Sequence, residues 1–243
     1  MGKIVKRAIY VFILLLLLSS TALLAYLHFG TAGESDLSGE WTTELNMTEQ
    51  AAVRALDWLQ DIEGTSVSLE DMERYMHGLT VRVNLTMEKT GRMEGTFHCS
   101  IQADSYDVCR QAAYEAFAGY FRELLGERLC MAGYEGSTNQ ESVEALVAGN
   151  FGMSTVSYLM DCGPALLPSL EDLQAQYDGS GAYEIADGIL IRRIEDGGTV
   201  FTKEERCILE DTTLILLGEK GIQNSDNYFD SYPIVYTYDA VQH

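Results

Sequence analysis

The sequence predicts an α+β fold: an antiparallel β-barrel of about eight strands, interrupted by a large helical insertion and preceded by one hydrophobic N-terminal helix. Three observations predict it. Residues 181–239 hold short apolar runs separated by Asp187-Gly188, Asp196-Gly197-Gly198, Asp211-Thr212 and the polar stretch 224–227, the pattern of an antiparallel meander. Residues 79–101 alternate apolar and polar side chains around Thr90-Gly91, the pattern of a hairpin. Between these two regions the apolar period changes from two to that of a helix. A meander needs a further sheet segment to close against, and the strand and hairpin near the front of the chain supply it.

The first element is the N-terminal segment. Lys3, Lys6 and Arg7 precede an apolar run from Ala8 to Phe29 that carries no charged residue. Its length matches a membrane-spanning helix better than the shorter apolar core of a signal peptide. The expectation is a signal-anchor over residues 1–33, single-pass in the cell membrane, with its basic flank inside and the bulk of the chain extracytoplasmic. The small residues Gly30, Thr31 and Ala32 offer a cleavage site, and cleavage there would make the protein secreted. Residues 34–243 then form one exported domain, with its helical insertion at 103–180.

Charge narrows the partners. All 37 acidic residues lie from Glu34 onward, and the formal net charge is −21. Such a surface repels nucleic-acid phosphates, so no nucleic acid is expected; it admits a basic peptide. The bland explanation of the same charge is a well-solvated acidic surface. Five cysteines, Cys99, Cys109, Cys130, Cys162 and Cys207, show no metal-ligand spacing. Most read as buried small hydrophobes. Cys99–Cys109 and Cys130–Cys162 are the bridges that an oxidising compartment would allow.

After a polar spacer, residues 40–47 alternate, with Trp41, Thr43, Leu45 and Met47 on one face. Thr48 is expected to cap a helix carrying Ala52, Ala55, Leu56, Leu59 and Ile62, ended by Gly64. Ser68, with Asp71 three residues on, opens a shorter helix. In the hairpin, Leu79, Val81, Val83, Leu85 and Met87 share a face, answered by Met93, Phe97, Cys99 and Ile101. From Asp104 a long helix runs to about Met131 and stops at Gly133. Its expected apolar stripe is Val108, Ala112, Ala116, Tyr120 and Leu124, widened by Phe117 and Phe121. Thr138 and Glu141 form a capping-box pattern before a helix ended by Gly149; Ser154 and Ser169 cap two more. The meander then reads as strands at 183–185, 189–194, 199–203, 206–210, 213–217 and 234–238, with Asp187-Gly188 as a two-residue turn. Pro233 is tolerated at the start of the last strand.

Gly39-Glu40-Trp41, at the head of the first strand, resembles the Gly-x-Trp signature of the lipocalin and lipocalin-like families. The run from Gly181 through Tyr183, Ile185 and Asp187-Gly188 to Leu190 is similar to strands of small bacterial lipocalin-like domains. The resemblance covers residues 39–47, 78–102 and 181–239. It implies an up-and-down barrel whose Trp41 plugs one end and whose interior takes a small apolar ligand. Two family features are missing: a basic residue in the last strand to pack over the Trp, and the Thr-Asp-Tyr signature. The insertion at 103–180 is also foreign to that fold.

Chemistry is sparse. Outside the first segment the histidines are His77, His98 and His243, and none has metal-ligand or general-base spacing. There is no nucleophile elbow, no Ser-x-x-Lys and no phosphate-binding loop. His98 sits on a polar strand face, as a barrel-mouth donor or simply a solvated ring. The acid pairs Glu204-Glu205 and Glu210-Asp211 lack a calcium-loop pattern. Asn46 and Asn84 match glycosylation acceptors. The expectation is therefore no enzyme, no metal and no cofactor. The leading reading is a binding module holding a small apolar ligand or a peptide among Trp41, Val83, Phe97, Tyr183 and Leu190. Its rival is a structural or protein-interaction domain of the cell envelope whose barrel is filled by its own side chains. An enzyme ranks third.

Overall fold

The computed structural model describes residues 36–60, 67–196, 199–218 and 232–239. The expected signal-anchor, the Gly64 helix stop and the polar loop before the last strand lie outside the described residues. Among the described residues no helix is long and apolar enough to cross a membrane.

Eight antiparallel strands form a closed barrel in simple chain order: β1 (Gly39–Asn46), β2 (Thr80–Lys89), β3 (Glu94–Ile101), β4 (Gly179–Ala186), β5 (Ile189–Asp196), β6 (Thr199–Glu210), β7 (Thr213–Leu217) and β8 (Ile234–Tyr238). Each strand pairs with the next, and β8 returns to β1 through Trp41 opposite Tyr238 and Thr42 opposite Thr237. The register of β1 on β2 sets Trp41 against Leu85 and Thr43 against Val83, so the two apolar phases coincide. Asp187 and Gly188 both take positive φ, at 52° and 76°. That backbone is the one a tight two-residue hairpin requires.

Six helices enter at one end of the barrel. α1 (Thr48–Gln60) and α2 (Leu69–Tyr75) join β1 to β2. α3 (Ala103–Met131), α4 (Gln140–Phe151), α5 (Thr155–Cys162) and α6 (Leu170–Tyr177) join β3 to β4. In an up-and-down barrel both connections leave the same rim, so the insertion and the first two helices cover one mouth together. They are not a separate subdomain: Ala52, Ala55, Leu59, Met72, Phe117, Leu159 and Leu173 belong to the same buried cluster as the barrel side chains. At the opposite rim Leu37 and Trp41 are buried. The Trp41 Nε1–H donates to the Leu37 carbonyl at 2.8 Å, and Tyr238 meets the indole edge-on at 5.2 Å. Tyr238 of the last strand thus covers the indole.

Several local expectations need correction. Residues 199–210 are one strand rather than two. Thr48 is the first residue of α1 rather than its cap. Its hydroxyl accepts the Leu79 N–H at 3.3 Å, while Asn46 Oδ1 accepts the Thr48 N–H at 2.9 Å. Asn139, not Thr138, caps α4. Gly149 lies inside α4, which ends at Gly152 in the left-handed conformation that glycine adopts most easily. Ser154 and Ser169 cap as expected, the latter with a full capping box through Asp172. Met93 precedes β3 and is 38% exposed. In α3, Val108 is 70% exposed, and the buried face is Tyr106, Cys109, Ala113, Tyr114, Phe117 and Ala118. The helix is rotated from its aliphatic stripe because Tyr106 and Tyr114 donate to the Pro168 and Pro164 carbonyls, both at 2.9 Å. All five cysteines are free thiols, so neither Cys99–Cys109 nor Cys130–Cys162 is bridged. Cys99 and Cys109 are buried in the core, whereas Cys130 and Cys162 end exposed helices.

Candidate functional site: the barrel interior and its open seam

Trp41, Val83, Phe97, Tyr183 and Leu190 all point into the barrel, and each is at most 4% exposed. One glycine makes room for Tyr183: a Cβ on Gly95 would lie 2.5 Å from its ring. Small residues opposite large ones let a narrow barrel fill.

Charged residues complete the filling. Arg192 of β5 and Glu205 of β6 are 6% and 1% exposed. Arg192 Nε donates to Glu205 Oε2 at 2.8 Å, and its Nη2 lies 2.6 Å from the same oxygen. The other carboxylate oxygen accepts the Tyr232 hydroxyl at 2.8 Å and lies 3.6 Å from Lys203 Nζ. The guanidinium also sits 5.5 Å from the centre of the Phe97 ring, across the interior. Cys99 of β3 and Tyr236 of β8 lie close to each other beside this pair.

Burial sets the charge states. It pushes the Cys99 thiol and the Tyr236 phenol well above their ordinary ranges, so both stay neutral. Burial alone would lower the Arg192 pKa; the facing Glu205, together with Tyr236 and Cys99, outweighs it and the guanidinium is held above its ordinary value. The result is a compensated ion pair surrounded by neutral hydrogen-bonding groups. Among the described residues, no three metal-ligating side chains converge.

Sequence reasoning missed Arg192 and Glu205. A signal for them was present: Arg192 shares the phase of Leu190 and Ile194, and Glu205 that of Cys207 and Leu209. Opposite charges at the apolar phase of neighbouring strands mark an interior pair. The run Lys203-Glu204-Glu205-Arg206 hid it by resembling a loop. His98 is exposed on the outer face of β3.

Within the closed barrel, β1 and β8 part company at one end of their pairing. Above the two pairs that join β1 to β8, residues 43–46 of β1 have no β8 partner among the described residues. A groove of about 790 Å³ lies along this seam, lined by residues 42–47, Arg82, Tyr177 and residues 233–235 and 237–239. The chain matches no protein-family model, and neither a curated protein nor a solved structure is significantly similar to it.

Proposed function

We propose that this chain is a non-catalytic protein-interaction domain of the cell envelope: a lipocalin-like barrel, filled by its own side chains and held at the membrane by its N-terminal segment. The observation that carries this reading is the Arg192–Glu205 pair with Phe97, Cys99 and Tyr236, which meet across the middle of the barrel. An apolar ligand in the calyx would have to displace a paired, desolvated guanidinium and carboxylate, and stranding either charge is strongly unfavourable. The charge of −21 and the open seam support recognition at the surface rather than in the interior.

The test is a thermal-shift and native mass-spectrometry panel of fatty acids, phospholipids, isoprenoids and small metabolites on the purified full chain in detergent. The expected result is no specific stabilisation and no co-purified small molecule. A ligand that stabilises the protein, and loses its effect when the interior is enlarged by Phe97→Ala, would return the reading to a small-molecule carrier.

A further inference from the structure

We propose that the β1–β8 seam is a docking slot for an extended, basic segment of a partner protein, which adds as a strand along the free upper edge of β1. This rests on the reading of the chain as a protein-interaction domain. The Asp239 N–H donates to the Glu40 carbonyl at 2.8 Å, whereas the Tyr238 N–H donates to Thr212 on the β7 side. Successive residues of a strand direct their backbone groups to opposite neighbours. Thr42, Glu44 and Asn46 therefore aim N–H and C=O at the seam, as do Val235 and Thr237 from the other side. Thr42 and Thr237 face each other in the last β1–β8 pair. Beyond it, Glu44, Asn46 and Val235 direct their backbone groups into the groove without a strand partner among the described residues. An unpaired ladder beside a groove is the setting in which extended peptides add to sheets.

The side chains choose the occupant. The inward row along the slot is apolar or nearly so, with Leu45, Met47 and Ile234. The outward row carries Glu44 and Asp239, with Glu40 one step below; Arg82, the one cation among the lining residues described, lies 3.8 Å from Glu44 and leaves Asp239 and Glu40 as the excess negative charge. Val235 is 46% exposed and continues, through Ile215, to the exposed Ile208 on the barrel's outer face. A strand seated here presents apolar residues inward and lysine or arginine outward. A volume of about 790 Å³ falls in the range of built binding sites, on the order of 300–1,000 Å³.

The experiment measures fluorescence anisotropy of a short labelled peptide of alternating valine and lysine against the full chain in detergent. A valine–glutamate peptide of equal length is the control. The valine–lysine peptide is expected to bind saturably and the control not to bind. Glu44→Pro removes a donor that points only into the seam, and Glu44→Lys reverses the charge there. Each is expected to weaken binding about tenfold while thermal unfolding confirms that the variant is folded. Equal binding of both peptides, or unchanged binding to both folded variants, would overturn the slot. Should both variants misfold, a Val235→Lys variant on the outer row gives the same reading: weakened binding supports the slot and unchanged binding overturns it. A silent peptide assay with a silent ligand panel sinks the slot alone, whereas a stabilising interior ligand sinks the underlying reading.

Discussion

Arg192 is buried against a buried carboxylate. With Arg192→Met, Glu205 would keep its burial and lose its buried charge partner; Tyr232 and the half-exposed Lys203 would remain against its outer oxygen. Breaking one side of a buried pair costs on the order of 3–5 kcal/mol, more than a shape-matched apolar replacement of both sides. Arg192→Met is therefore expected to lose about that much stability in urea unfolding. The double variant Arg192→Met with Glu205→Leu is expected to regain most of the loss. A double variant no more stable than the single one would show that the pair does not act as a unit. Neither partner was identified from the sequence, because a charge at an apolar strand phase acquires its meaning only when its opposite number lies on the neighbouring strand. Trp41 was legible for the opposite reason: its place at the head of an alternating strand marks a plug within a few residues of chain.

Among the elements, the helical layer is tied together by one carboxylate. Glu144 of α4 accepts the Thr155 N–H at the start of α5 at 3.1 Å and pairs with Arg122 of α3 at 2.7 Å. Burial alone would raise its pKa, but the contacts with Thr155 and Arg122 override it and hold the carboxyl below its ordinary 4.5. A depressed folded-state pKa contributes stability above the unfolded value and loses it as pH falls through the folded one. Glu144→Gln is thus expected to cost about 1 kcal/mol at pH 7. It should also flatten the fall in stability that the parent shows below pH 4.5, as followed by urea titrations between pH 7 and 3. A parallel pH profile for parent and variant would remove Glu144 from this role. The helices themselves were legible from caps such as Ser68, Ser154 and Ser169, which satisfy backbone donors locally. The buried face of α3 was not, since two tyrosine hydroxyls reaching the carbonyls of Pro164 and Pro168 outweigh an aliphatic stripe that includes Val108.

At the scale of the whole molecule, barrel and helices share one core, and the two tryptophans report on its two ends. Trp41 closes the far rim of the barrel, while Trp58 packs against Phe117 and Phe121 in the helical layer. One contiguous core predicts one cooperative transition. Fluorescence of Trp41→Phe and Trp58→Phe variants should give a coincident urea midpoint within each protein with far-UV circular dichroism. A fluorescence midpoint displaced from the dichroism midpoint would make the helical layer a unit of its own. The open seam also belongs to this scale: among the described residues β8 pairs with β1 through Trp41–Tyr238 and Thr42–Thr237 alone, which no stretch of either strand announces by itself.

The sequence by itself determined the strand regions within a few residues, though it split β6 in two, together with the hairpin, the Asp187-Gly188 turn, most helix caps and the acidic surface. Alternation, turn conformation and capping are settled between residues close together in the chain, so they can be read there. Only the tertiary structure decided that Arg192 meets Glu205 and stacks near Phe97, which side of α3 is buried, and where the barrel wall parts. Those outcomes depend on closure, which brings together side chains from strands that the sequence keeps far apart.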